Sequence, residues 1–289
     1  MKTALQGLKT ALTSVAAGIA VLAAVPAQAN SVNGIVDVWT VGVSGQFLCG
    51  TAAFAPGTGG TSCGPTSMSW GDTTGYGQSG LSISNLAAAN VNTFGGAYAG
   101  TIAPNTSVTH FNQPITGNSL DKVTLESTLT LTPYLPSGGT LAPEVMKFLI
   151  NFEETTNDPR PSACADGGSY GVGVNANGCA DIFVIDHDAL NFEFWYDLDG
   201  NDALPSQKYY ISFFEQTSGL NPLPAAACLA ATGSAAPCLG FRTPEQANTT
   251  FQFAAMITTT PVQIVPEPGT LATVAAALRA LGAVRRRRA

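Results

Sequence analysis

The sequence predicts an all-β chain, an antiparallel β-sandwich of jelly-roll type, and three observations carry that expectation. Apolar residues alternate with polar ones at a period of two over whole segments, as half-buried strands require. The 31 Gly and 18 Pro of the 289 residues interrupt every long window outside the chain ends in which a helix would propagate. Six cysteines in three close pairs point to a stapled, loop-rich body. Only the ends read as helical, as an N-terminal signal helix and a short C-terminal transmembrane helix.

In chain order, Lys2 and Lys9 precede an apolar run from Ala11 to Val25, followed by the small-x-small site Ala27-Gln28-Ala29. That is the pattern of a secretory signal peptide over residues 1–29, with the mature chain starting at Asn30. Strands are expected from Ile35 to Val43, Leu81 to Leu86 and Val108 to Phe111. Val123, Leu125, Leu129 and Leu131 alternate with Lys122, Thr124, Glu126, Thr128 and Thr130. Met146, Phe148, Ile150 and Phe152 repeat the alternation, as do Phe251, Phe253, Ala255 and Ile257. Ile182 to Ile185 is apolar throughout and reads as a strand buried on both faces. Phe192 to Tyr196 and Tyr209 to Phe214 flank a turn at Asp199-Gly200-Asn201. About ten strands separated by turn-rich loops fit a sandwich. With no linker or internal repeat, residues 30–264 form one secreted domain.

The formal charge of −7 conceals an asymmetry. Seven of the 12 basic residues lie in the two terminal segments, leaving 5 in the body against 18 of the 19 acidic ones, a net charge of −13. Such a body is a poor partner for nucleic acid or anionic lipid and a better one for cations or neutral polymers. The cysteines fall as Cys49 and Cys63, Cys164 and Cys179, and Cys228 and Cys238. Fifteen connectivities are open to six cysteines, and nearest-neighbour pairing closes the shortest loops. Each such bridge contributes roughly 3 kcal/mol through the unfolded state. Zinc spacings are absent.

Residues 265–289 read Val265-Pro266-Glu267-Pro268, a short apolar span, then Arg285, Arg286, Arg287, Arg288 and Ala289. The prolines end whatever precedes them, and the arginine block stays on the cytoplasmic side of a membrane. This tail resembles the PEP-CTERM sorting signal of Gram-negative bacteria. The resemblance implies export past signal peptidase, transient holding in the inner membrane, and processing by the membrane protease exosortase. It further implies delivery to the cell surface, outer membrane or extracellular matrix in a species that makes exopolysaccharide. Arg279 interrupts the span, which is also shorter than the roughly 20 residues a spanning helix needs. The segment therefore suits transient rather than permanent anchoring.

Within the body the most distinctive stretch is Thr109-His110-Phe111-Asn112. With it go Ser69-Trp70-Gly71, Gln78-Ser79-Gly80-Leu81, Phe152-Glu153-Glu154-Thr155-Thr156-Asn157, Cys179-Ala180-Asp181-Ile182-Phe183 and Cys238-Leu239-Gly240-Phe241-Arg242-Thr243-Pro244-Glu245. Together these resemble the THxN family of PEP-CTERM proteins, whose motif corresponds to Thr109, His110 and Asn112. The family implies compartment and lineage but no chemistry. Strand alternation puts His110 and Asn112 on one face and Thr109 and Phe111 on the other. An imidazole and an amide on one face suit hydrogen bonds to a sugar or a carboxylate. The reading we favour is structural, with both side chains satisfying backbone groups of the turn through Pro114.

Catalysis has few parts. His110 and His187 are the chain's two imidazoles, and His-Glu-x-x-His does not occur. Glu153 and Glu154 are neighbours and face opposite ways on a strand. The chain is expected not to be an enzyme and to carry no cofactor. Calcium is the one candidate ion, at Asp197, Asp199, Asn201 and Asp202, against the alternative of a polar hairpin turn. With the export and exopolysaccharide that the tail's resemblance implies, a structural or adhesive role in such a matrix is expected. The rival readings are a carbohydrate-binding module using Trp39, Trp70, Trp195, Tyr76 and Tyr98 as stacking faces, and a matrix-polymer hydrolase.

Overall fold

The computed structural model describes residues 34–155, 162–185, 191–200, 205–217 and 219–261. The signal segment 1–29, the sorting segment 265–289, His187, Asn201 and Asp202 lie outside the described residues. In order, the strands are β1 (Val38–Phe54), β2 (Ser62–Cys63), β3 (Ser67–Trp70), β4 (Asp72–Thr73), β5 (Ser79–Asn85), β6 (Ala89–Asn92), β7 (Ala103–Asn112) and β8 (Ile115–Thr116). They continue with β9 (Leu120–Leu135), β10 (Glu144–Glu153), β11 (Asp181–Ile185), β12 (Asn191–Tyr196), β13 (Gln207–Glu215), β14 (Asn221–Pro222), β15 (Leu239–Thr243) and β16 (Ala247–Thr258). One sheet runs β14-β15-β11-β10-β9-β1-β6 and the other β12-β13-β16-β7-β5-β3-β2, with a small β4-β8 ribbon beside them. All pairings between these strands are antiparallel.

The alternation in the sequence is the alternation of burial. On β9, Val123, Leu129 and Leu131 are buried while Thr124, Thr128 and Thr130 are partly exposed. Residues of both sheets share each main core. Trp39, Val41 and Leu129 of the first sheet meet Tyr209, Ile211 and Ala255 of the second. The Trp39 ring contacts Phe194, Tyr196 and Tyr209 edge-on, each at 5.3 Å between centroids. An indole buried this fully gains roughly 4–6 kcal/mol of transfer free energy before entropy is counted. Tyr209 also reaches out of its sheet, accepting the Val36 amide on its hydroxyl at 2.7 Å.

Disulfides join Cys49–Cys63, Cys164–Cys179 and Cys228–Cys238, with Cα separations of 5.7, 5.3 and 5.8 Å. Two departures from the sequence expectation stand out. The first strand runs to Phe54, well beyond Val43, with its exposed far end carrying Cys49. A helix, α1 (Ala225–Thr232), also occurs inside the body, where none was expected. Its eight residues contain neither Gly nor Pro and five are Ala, the best helix former. Gly233 ends it in a left-handed conformation at φ 73°. The helix explains the apolar run Ile182 to Ile185 of β11: Phe183 faces the shared core, while Ile182 and Val184 lie under Ala227. No helix of the described residues is long and apolar enough to cross a membrane.

Gly240 shows how closely the strands approach. A methyl group on its Cα would stand 1.9 Å from the Phe183 carbonyl oxygen. Gly240→Ala should therefore part β11 from β15 and destabilise the chain by about 1–3 kcal/mol. Gly50→Ala, with nothing within 4 Å of the added methyl, should stay within about 0.5 kcal/mol of the parent. Urea unfolding of the two variants checks this, and equal stabilities would contradict it.

Candidate functional site: a buried carboxylate and imidazole cluster

Strand β7 ends in Thr109-His110-Phe111-Asn112, and its alternation divides the four. Thr109 faces outward and shares a 2.8 Å hydrogen bond with Thr250 across the strand pair. Phe111 is exposed, whereas His110 and Asn112 are completely buried. Their partners correct the expectation of the turn through Pro114. His110 Nδ1 bonds Thr243 Oγ1 at 2.8 Å, and Asn112 Nδ2 donates to the Thr243 carbonyl at 2.9 Å. Thr243 closes β15 in the other sheet, so the motif joins the two sheets. The turn beyond Asn112 is held instead by Ser79, whose hydroxyl donates to the Gln113 carbonyl at 2.9 Å.

Three carboxyl groups converge on the same place. Asp181 opens β11 directly opposite Thr243. Its Oδ1 accepts the Thr155 amide at 2.9 Å and the Thr155 hydroxyl at 3.2 Å. Its Oδ2 has no hydrogen-bond partner and stands 3.9 Å from His110 Nε2, which has none either. Glu154, just past β10, accepts the Trp70 indole N–H on Oε2 at 3.1 Å. Glu245 lies at the crossing from β15 to β16 and is 1 % exposed. The next residue, Gln246, holds a left-handed backbone at φ 57°. For a side chain larger than Asn or Asp such a conformation is strained, and here it directs the chain around the buried Glu245. One carboxylate oxygen from each of Glu154, Asp181 and Glu245 lies within 4.8 Å of the others.

The walls are aromatic. The His110 ring lies nearly parallel to Trp70, 6.0 Å away, and meets Phe152 at 5.6 Å and Phe183 at 4.7 Å. Burial among these rings pushes His110 down to about 3, so the imidazole is neutral at ordinary pH. Burial raises Asp181 well above the usual carboxylate range, and the neighbouring Glu154 and Glu245 charges raise it further. Glu154 is pushed up to about 8 by burial and by Glu245 and Glu153, against the opposing Trp70 hydrogen bond. Like charges packed in a dry site cannot all ionise. The cluster holds protons, or a cation in their place.

The other expected sites fare differently. Asp197 Oδ1 accepts the amides of Asp199 and Gly200 at 3.2 and 3.1 Å, the bonding of a polar turn. Trp39 and Trp70 are fully buried and offer no stacking face, whereas Tyr76, Tyr98 and Trp195 are exposed. Asp181, Thr243 and Glu245 were not singled out individually by sequence, and Glu154 only as the neighbour of Glu153. All four fall in the stretches that flank the His110 motif in the family resemblance, and that grouping was the available signal. Elsewhere an apolar cavity of about 80 Å³ lies between the sheets, lined by Phe148, Phe213, Leu220 and Phe253 among others. It is smaller than the roughly 150 Å³ that admits a benzene. The sequence matches no known protein-family model and no curated protein.

The shifted groups fix a pH dependence. Glu154 and Asp181 keep protons in the folded chain that the unfolded chain releases, so their contribution is full below the ordinary carboxylate range. For Glu154 it is lost as pH rises through about 8, and for Asp181 as pH rises above the ordinary carboxylate range. His110 works in the opposite sense: its contribution is full above 6.5 and is lost as pH falls toward about 3. Two carboxyls oppose one imidazole, so urea midpoints measured in chelator should peak near about pH 4 to 4.5 and fall toward pH 8. Glu154→Gln should flatten the alkaline fall. Stability that rises steadily from pH 6 to 8 would contradict this.

Proposed function

We propose that the chain is an exported, non-enzymatic protein of the cell surface or extracellular matrix, sorted by a PEP-CTERM signal and serving a structural or adhesive role alongside exopolysaccharide. The observation that carries this reading is the tail Val265-Pro266-Glu267-Pro268, its short apolar span and Arg285 to Arg288. Three disulfides support it, since such bridges persist in oxidising compartments. The net charge of −13 on the body keeps it from nucleic acid and anionic membrane surfaces. We read the two sheets as the faces of a jelly-roll-like sandwich, supported by cores to which both sheets contribute.

The hydrolase reading is the weaker alternative. Asp181 and Glu245 lie close together but are shut away from solvent, and a polymer chain needs an open cleft to reach an acid pair. The carbohydrate-binding reading loses Trp39 and Trp70 to the core and keeps Trp195, with Lys208 Nζ 5.4 Å from its ring centroid.

Expression in an exopolysaccharide-producing host with an active exosortase tests the sorting. The full chain should appear as a shortened product in the surface or matrix fraction. A variant ending at Ile264 should retain cooperative unfolding and escape to the medium. A truncated protein that still partitions with the envelope, or a full chain whose tail is never processed, would overturn the proposal.

A further inference from the structure

We propose that His110 Nε2 and the carboxylates of Glu154, Asp181 and Glu245 form a binding site for one divalent transition-metal ion, zinc or manganese. Four observations lead there. The three carboxylates each present an oxygen within 4.8 Å of the others, the one such group among the described residues. An imidazole nitrogen, completely buried and without a hydrogen-bond partner, is directed into that group 3.9 Å from Asp181 Oδ2. Asp181 Oδ2 is likewise left without a hydrogen bond.

The fourth observation is how the remaining atoms are held. His110 is fixed through its other nitrogen by Thr243 Oγ1 at 2.8 Å. Asp181 is fixed through its other oxygen by Thr155. Glu154 is fixed by the Trp70 indole at 3.1 Å. Outer groups that grip His110 and Asp181 by one atom while leaving the other free are how proteins orient metal ligands. A structural network of hydrogen bonds would instead be expected to close on these inner atoms.

The distances fit after small adjustments. Two donors each about 2.1 Å from one ion stand about 3–4 Å apart, so the three carboxylate oxygens, all within 4.8 Å of one another, must draw in by about 1 Å or less, and His110 Nε2 already stands 3.9 Å from Asp181 Oδ2. Side-chain torsions of Glu154 and Glu245 supply that. Charge points the same way. Three carboxylates in a site walled by Trp70, Phe152 and Phe183 repel one another, and a divalent ion cancels most of that charge without importing water. The single imidazole selects the kind of ion. Calcium and magnesium take all-oxygen cages, whereas zinc and manganese accept a nitrogen among carboxylates. Glu154, the most exposed of the four ligands, marks the side of entry.

The test uses the full-length chain, stripped with EDTA and dialysed separately against zinc, manganese or calcium chloride. Metal content per chain is then counted after gel filtration, and the melting temperature is recorded. One zinc or manganese per chain should be retained, with a rise of several degrees. Glu154→Gln, at the rim of the site, should fold and weaken binding at least tenfold. His110→Gln should lose the ion altogether; should that variant fail to fold, anomalous scattering from the wild-type chain locates the metal. No stoichiometric zinc or manganese, calcium alone retained, or binding unchanged in Glu154→Gln would each overturn the assignment.

Discussion

His110 and Thr243 stand 133 residues apart and in different sheets, yet share a 2.8 Å hydrogen bond in which both side chains are removed from solvent. A pair of this kind imposes geometry more than it adds stability. Neither partner can return to water without carrying its strand along, and a buried polar group left unmatched costs about 1–3 kcal/mol. Each sheet is thereby committed to one position against the other at this end. Asn112 repeats the connection to the carbonyl of the same threonine, and Asp181 faces Thr243 across β11 and β15. The cluster is thus the place where β7, β10, β11 and β15 are registered together.

That registration has an electrostatic consequence. The positions that lock the sheets also bring three carboxyl groups into one aromatic pocket, where desolvation and mutual repulsion both act against charge. The hydrophobic cores on either side gain from burial in any orientation that covers them, and so are tolerant of exchange among aliphatic residues. The cluster is not. Its groups tolerate only arrangements that supply protons or a cation, which gives a mainly apolar fold a narrow polar specification. Asp166 offers a contrast nearby: burial works against its charge, but Gly168, Arg242 and Asn175 hold the carboxyl below its usual range, so it needs neither.

Much of the fold was legible because a period of two is a property of neighbouring residues. Val123 to Leu131 and Met146 to Ile150 alternate in burial as they alternate in sequence, and the Asp199-Gly200 turn falls where its residues suggested. The helix Ala225–Thr232 escaped notice since glycine and proline were weighed over the whole body while the local window held neither. The burial of His110 and Asn112 on one face followed from alternation alone. Their partners did not. That Glu153 and Glu154 face opposite ways says nothing of the neighbours Glu154 has in space, which come from other strands and from the β15–β16 crossing. Local patterns carry no information on which distant strands meet, so Thr243, Asp181 and Glu245 stayed hidden among ordinary loop and strand-end residues.

The central claim is that the contact between His110 and Thr243 couples the two sheets. A double-mutant cycle with His110→Gln and Thr243→Val, read by urea unfolding at pH 6 in chelator, tests it most directly. The account predicts a coupling free energy of about 1 kcal/mol or more, the signature of groups in direct contact. Losses that add within about 0.3–0.5 kcal/mol would show independent sites and contradict it.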